Sequence, residues 1–377
     1  MSASPPIQDV DTAVVGGGLV GAALAHGMRT LGADLIVLDE GDRAHRASRG
    51  NFGLIWVQGK GLGMPAYAEW TLRSARAWPR LAAELRAATG VDVALRQGAG
   101  VHLCHGERET AARQAHLQAL VAQPGFPTYA VETLEHTDLA RRLPGLGPGV
   151  TSGTWCAEDG DCNPLRLLRA LHAAVAQAGC RYVPDAGVAA IEVRERRFLL
   201  RTRRGDVEAR RMVLAAGLGN ARLAPMVGID APVRPNKGQV IALERMAPFL
   251  ALPAETLRQT DDGTVLIGDS QQDVGADETL DPAVLAAMAA RAVAAFPALA
   301  GRRIVRAWAA LRVMSPDGFP IYAQSRAHPG AFVATCHSGV TLAAAHAHVL
   351  GPALLAGALP PECAAYAPER FDVRAAA

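Results

Sequence analysis

Lysine is almost absent. Of the 38 basic residues only Lys60 and Lys237 are lysines, and the others are arginines. A genome-wide preference for arginine codons accounts for most of that bias. Yet both lysines precede glycine, in Gly59-Lys60-Gly61 and Lys237-Gly238-Gln239, which marks two places where a compact ammonium suits better than a planar guanidinium. Paired cysteines are absent too. Cys104, Cys156, Cys162, Cys180, Cys336 and Cys363 contain no CxxC, so they read as reduced thiols rather than a disulfide or iron–sulfur framework. A net charge of +2 over 377 residues gives no reason to expect nucleic acid or an anionic membrane as partner. No Ser/His/Asp or Cys/His nucleophile signature is present, and no internal repeat or low-complexity tract beyond general alanine richness. The pairs His102/His105 and His346/His348 lack further ligands at metal spacing, so no metal is expected. Met1 to Gln8 reads as a short polar tail without the basic-then-apolar pattern of a signal peptide, and the chain reads as cytoplasmic. Long apolar runs are scarce. Gly339 to Leu359 approaches the ~20 residues that span a bilayer, but His346, His348 and Pro352 and the lack of basic flanks favour a buried helix packed on a parallel sheet.

Half of the residues are apolar and a fifth charged, a globular composition with room for two domains or one domain carrying an insertion. The chain is organised around Val10 to Asp39. An apolar run to Val15 meets Gly16-Gly17-Gly18-Leu19-Val20-Gly21; a helical pattern follows to Leu31, and a second apolar run, Leu35 to Leu38, ends at Asp39-Glu40. This is strand, tight turn, helix, strand, acid. Gly16 permits the turn, Gly18 lets backbone approach a pyrophosphate, Gly21 lets the helix pack near the strand, and the helix N-terminus offers N–H groups to phosphate. Asp39, eighteen residues past Gly21, stands where a carboxylate grips a ribose hydroxyl. The stretch predicts a dinucleotide site.

Further along, a loop from Gly41 to Gln58 leads into an apolar run, Phe52 to Val57. Pro65 to Thr89 reads as an amphipathic helix with Pro79 as a kink or boundary. Short strands fall between Val91 and Leu103, a helix at Arg108 to Val121, and loop with short elements at Gly125 to Gly149. Asn163-Pro164 caps and opens a helix to Ala178. Strands are expected at Arg181 to Val183, Val188 to Val193, Phe198 to Thr202, Val207 to Ala215, Val233 to Leu243, Thr264 to Ile267, Ile304 to Leu311 and Phe332 to Thr335, with a helix at Pro282 to Phe296. Asp138, Glu158, Asp159 and Asp161 read as loop surface.

Five motifs in order, Gly16 to Gly21, Ser48-Arg49-Gly50-Asn51, Val213 to Gly217, Trp308 to Pro320 and Cys336-His337-Ser338-Gly339, resemble the D-amino-acid oxidase superfamily of FAD-dependent oxidoreductases over nearly the whole chain. Asn51 to Gly61 and Asp159 to Leu165 are most similar to the flavin-bearing B-subunit of opine oxidases and to hydroxyproline dehydrogenase beta subunits. Glycine oxidase and the cyanide-synthase flavin subunit are more distant relatives. The resemblance implies an α/β fold: a discontinuous Rossmann-like FAD-binding domain (1–88, 150–232, 312–377) with an inserted α+β substrate domain on a mainly antiparallel sheet (89–149, 233–311). It implies hydride transfer from an amino acid or secondary amine carboxylate to FAD, with the resulting imine hydrolysed by water. FAD is to be held by Gly16, Gly18, Leu19, Val20, Gly21, Asp39, Glu40, Ser48, Arg49, Gly50, Asn51, Val188 (backbone to adenine), Ala216, Gly217, Ser338, Gly339, Val340, Thr341 and Leu342. The last four open the C-terminal helix, whose N–H groups aim at the flavin pyrimidine.

Arg312 matches the arginine that clamps the substrate carboxylate, the alternative being a structural pair with Asp317. His337 and Lys60 are the other catalytic candidates, with a satisfied loop histidine and a solvated loop lysine as their alternatives. Relatives that bind flavin covalently carry a cysteine where Ala309 to Val313 has none, so non-covalent FAD is expected. Iron–sulfur or second-flavin partner subunits are implied for onward electron transfer, with an acceptor at the inner membrane. Aromatic-ring flavin hydroxylases share the first motif, but Gly268-Asp269 is misplaced for them. A non-catalytic electron-transfer or scaffold subunit and a self-sufficient glycine/sarcosine-type oxidase are the remaining alternatives.

Overall fold

The computed structural model describes residues 8–41, 46–268 and 270–372. The tail before Gln8, the start of the Gly41–Gln58 loop and Asp269 lie outside the described residues.

The opening pattern folds as strand β1 (Gln8–Val15), helix α1 (Leu19–Arg29) and strand β2 (Leu35–Leu38). Both strands are apolar without alternation because they lie inside a parallel sheet covered on both faces. β1 runs parallel between β2 and Val207–Leu214, and Arg181–Val183 extends the sheet beyond β2. On the other side, Val207–Leu214 meets Arg197–Thr202 along its first half and Ala331–Thr335 along its second. The parallel strands therefore finish together at the edge where α1 begins, the crevice that dinucleotide folds use. Ile321–Gln324, a short strand without a sequence signal, pairs with Ala331–Thr335.

Helix α2 (Pro65–Thr89) keeps the expected bounds, but Pro79 neither ends nor divides it. Asn163 caps Pro164–Gln177 by accepting from the Leu165 and Arg166 N–H groups. The C-terminal run departs from expectation. Gly339 to Leu342 form turns, and the helix begins at Ala343, passes through a π segment at His346–Leu350 and ends at Ala356. Pro352 explains the break: its ring clashes with the carbonyl four residues back, and a wider turn relieves the clash. No single helix among the described residues is long and apolar enough to cross a membrane.

The second layer is antiparallel. Arg234–Arg245 pairs along its length with Ile304–Met314, and Thr264–Ile267 and Leu257–Gln259 extend that sheet. Gly100–His105, Val150–Cys156 and Val131–Glu135 form another sheet, joined to the first where the Val101 N–H donates to Pro253 O. One expected domain boundary thus falls at the start of a strand and another inside one. Val150–Cys156, whose small polar residues resemble a loop, belongs with the inserted segment, and Ile304–Met314 keeps its partner past 312. We propose dividing the domains after Cys156 and after Met314 instead.

Candidate active site

At the nucleotide turn the glycines are required by contact. Gly16 has φ +106°, and a Cβ there would lie 2.4 Å from Ala215 O. A Cβ on Gly21 would lie 1.9 Å from Gly16 O, and one on Gly18 would lie 2.8 Å from Ser48 Oγ. The first turn of α1 carries no acidic residue, and the Leu19 N–H donates to Ser48 Oγ at 2.9 Å. A cradle without Cβ atoms, at a helix start without carboxylates, fits a pyrophosphate. Asp39 braces this turn, accepting from the Gly17 and Gly41 N–H groups at 2.6 and 3.0 Å.

The cavity around the turn, about 370 Å³, is also lined by Val20, Glu40, Ser48, Arg49, Asn51, Val188, Ala216, Gly217 and Gly339. Gly50 instead lines a second, larger cavity, and its carbonyl accepts from Trp308 Nε1. The Val188 carbonyl accepts from Arg222 Nη2 at 2.9 Å. Arg222 also lines the first cavity, as do His172 and Tyr182, none of which the sequence pattern singles out. The His172 Nε2 lies 2.6 Å from Gly17 O, and its ring centroid is 4.5 Å from that of Tyr182. A signal for His172 existed: it falls one helical turn past Leu168 on the buried stripe of Pro164–Gln177.

The second cavity, about 710 Å³, meets the first at Ala47, Asn51 and His337, which line both. Arg312, Lys60, Ser338, Val340 and Thr341 line this second cavity. Arg312 reaches it from Ile304–Met314, donating from Nη1 to Asn236 Oδ1 (3.2 Å) and Ser270 O (2.8 Å). Gly238 clears its path, since a Cβ there would lie 2.5 Å from Nη1. Burial lowers the Arg312 pKa to about 10, so the guanidinium stays charged at neutral pH. Asp317, the alternative partner considered for Arg312, is held by Arg370 at 2.7 Å.

Beside Arg312, one hydroxyl gathers Lys60, Tyr67 and His337. Lys60 Nζ and Tyr67 OH donate to Ser338 Oγ at 2.7 and 2.8 Å. With both donating, the Ser338 hydroxyl is left to point its proton at His337 Nε2, 3.1 Å away. Burial lowers Lys60 to about 8. Burial and the nearby Lys60 and Arg312 charges lower His337 to about 3, keeping its imidazole neutral. Tyr67 was missed, although the helical period aligns it with Ser74 and Trp78 on one face of α2. That row fixes the turn after Ser338: Ser74 Oγ donates to Thr341 O and Trp78 Nε1 to Val340 O. The Leu342 N–H, expected to aim at a ligand, is instead bonded to Ser338 O at 3.0 Å. Leu342 itself packs in the apolar core.

Two acids expected at the surface are buried. Asp161 pairs with Arg96 and Arg258 at 2.7 and 2.9 Å. Asp159 accepts from the Val57 and Gln58 N–H groups, which hold the start of the Lys60 loop, while burial raises its pKa to about 7. Glu158 pairs with Arg76, and Asp138 with Arg141. Lys237 is buried in a bond to Asp277 at 2.8 Å, away from Lys60.

Residues 11–351 match the family model described as FAD dependent oxidoreductase. The chain is 40% identical over 368 residues to the opine oxidase B-subunit of Rhizobium meliloti, covering 98% of this chain and 99% of that one. Its counterpart from Agrobacterium tumefaciens (strain Ach5) is equally similar, at 40% over 368 residues, with the same 98% and 99% coverage. Among solved structures, glycine oxidase from Geobacillus kaustophilus superposes with a TM-score of 0.85 at 23% identity, covering 96% of this chain and 98% of that one. L-proline dehydrogenase from P. horikoshii does so at 0.80 and 17%, covering 97% and 98%. A nucleotide cradle opening into a cation-lined cavity, in a chain matched from end to end by flavoenzymes, leads to one conclusion: the protein belongs to the FAD dependent oxidoreductase family.

Proposed function

We propose that this flavoenzyme oxidises the carbon–nitrogen bond of an amino acid or secondary amine carboxylate, of the opine, D-amino acid or proline/hydroxyproline type. The observation that carries this reading is the junction of the two cavities at His337, with Arg312 beside it. The likeness to an opine oxidase supports the substrate class. FAD would be held non-covalently, with Gly16 to Gly21, Asp39, Glu40, Ser48 to Asn51 and Ser338 to Thr341 as the residues that hold it. When bound, it supplies an acceptor for the hydride that leaves the substrate carbon. Arg312 grips the carboxylate in a bidentate, charge-assisted contact and so fixes which C–H faces the ring. Neutral His337 adds no positive charge of its own beside the substrate, and the Lys60 ammonium supplies positive charge where negative charge develops. Water then hydrolyses the imine.

Cys336 also lines the nucleotide cavity, but burial raises its thiol pKa to about 12, which leaves it protonated and a poor nucleophile. Acid precipitation therefore releases intact FAD into the supernatant. Flavin remaining with the precipitate contradicts the non-covalent assignment. Electrons leave to a partner subunit in the cytoplasm, in keeping with the likeness to a protein named as one subunit of an oxidase. The test of the proposed function is an anaerobic screen of opines, D-amino acids and proline and hydroxyproline isomers for bleaching of the flavin. Reduction by at least one of these amine carboxylates is expected. Failure of every class would support a non-catalytic flavoprotein instead.

A further inference from the structure

One of the two lysines has no part in the chemistry proposed above. Lys237 lies on the strand Arg234–Arg245, and its side chain is only 3% exposed. Alternate residues of a strand share a face. Lys237 and Gln239 therefore point to one side, and Gly238 to the other, where Arg312 passes. Beside them the backbones of Lys237 and Gln272 pair in both directions at 2.9 Å. The chain then leaves this strand, loops outward and returns at Asp281 to cap the helix Pro282–Ala295.

This excursion is anchored at each end. Asp273 accepts from Asn236 Nδ2 at 2.9 Å and pairs with Arg234, and the Asp281 N–H donates to Gln239 Oε1 at 2.9 Å. Between the anchors every residue from Val274 to Leu280 except Asp277 is exposed, so apolar burial does not hold the segment down. Among the described residues, both hydrogen bonds that tie 274–280 to the rest of the chain come from Lys237 Nζ. It donates to Asp277 Oδ2 at 2.8 Å and to Thr279 O at 3.0 Å. One nitrogen meeting two oxygens in a buried place suits a compact ammonium better than a planar guanidinium. The residue between those two contacts, Glu278, lines the nucleotide cavity.

We infer that residues 274–280 are an outer flap of the nucleotide cavity and that Lys237 is its latch, retaining FAD rather than taking part in the oxidation. Glu278 forms the wall that the flap presents to the cavity, and the Lys237 bonds on either side of it keep that wall in place. A surface segment with so little apolar burial opens readily once its polar ties are lost. The cofactor then leaves through the opening. The inference concerns retention of FAD alone and holds for any amine substrate.

Two measurements on the holoprotein test it: hydrogen exchange over 274–280, and the rate of FAD release, followed as the rise of flavin fluorescence after dilution. Lys237→Met removes the donor. Asp277→Asn removes the charge from an acid that is 40% exposed, a change the fold tolerates. Each variant is expected to raise exchange in 274–280 alone and to speed FAD release about tenfold, the effect of losing one charge-assisted contact. The double variant should release FAD no faster than Lys237→Met, because both changes break the same bond. Release at the wild-type rate in both single variants overturns the inference, as does faster release without a local rise in exchange. Additive effects in the double variant overturn it too, since Lys237 and Asp277 would then act separately. Exchange that rises in both single variants along the whole of Arg234–Arg245 overturns it by showing Lys237 to be a strut of the sheet.

Discussion

Asp159 is a carboxylate whose surroundings, rather than its type, decide what it does. Its pKa is raised from 3.8 to about 7 by burial, so between those values the folded chain holds a proton that the unfolded chain has lost. Folding stability therefore falls as pH rises through that window, the reverse of the usual paired carboxylate. Asp159→Asn retains an acceptor for the Val57 and Gln58 N–H groups and carries no charge. The variant is expected to gain stability over wild type at about pH 8 but not at about pH 4; denaturant melts at the two values measure it, and equal differences at both contradict the assignment. Gly18 gives a second residue-scale prediction. Gly18→Val puts a branched side chain where even a Cβ is 2.8 Å from Ser48 Oγ, and the protein is expected to purify colourless, with a fold retained by circular dichroism. Bound yellow flavin in that variant contradicts the cradle. The glycine was legible in the sequence because its role is local, strand on one side and helix on the other. Asp159 was not, because its burial depends on residues near 57 and 100, far along the chain.

Elements carry the same lesson at longer range. α2 was readable to its ends, from Pro65 to Thr89, because proline can open a helix and glycine at φ +72° closes it. The short strands Leu257–Gln259 and Ile321–Gln324 left no usable period. The C-terminal helix was legible as buried but not as broken. Its contact with α1 is backbone on backbone: a Cβ on Gly27 would lie 2.0 Å from Ala347 O, and one on Gly351 would lie 2.7 Å from Leu24 O. Gly27→Ala should force the two helices apart and cost about 1–3 kcal/mol through overpacking. Because α1 also carries the nucleotide turn, FAD should dissociate more readily from the variant. Thermal melts with and without added FAD check both effects, and an unchanged Tm means that the helices are free to slide.

At the scale of the molecule, the nucleotide sheet and the antiparallel layer leave two cavities that meet at Ala47, Asn51 and His337. The reading of a discontinuous nucleotide domain with an antiparallel insertion came from the order of motifs, and its divisions at 150 and 312 fall at the start of one strand and inside another, which a linear pattern does not mark. The proposed function passes the electrons on to a partner subunit. The isolated protein is then expected to be reduced by substrate, to reoxidise slowly in air and to turn over faster with an artificial dye. Reoxidation in oxygenated buffer as fast as reduction would mark a self-sufficient oxidase. The central claim is that a substrate carboxylate is gripped by Arg312 where the two cavities join. Anaerobic stopped-flow reduction of wild type and Arg312→Ala by the same secondary amine carboxylate tests it most directly. Wild type should bleach with saturable kinetics, and the variant should bind FAD normally yet lose on the order of a hundredfold in reduction efficiency, the loss expected for one charge-assisted contact. Bleaching of Arg312→Ala at the wild-type efficiency would contradict the account.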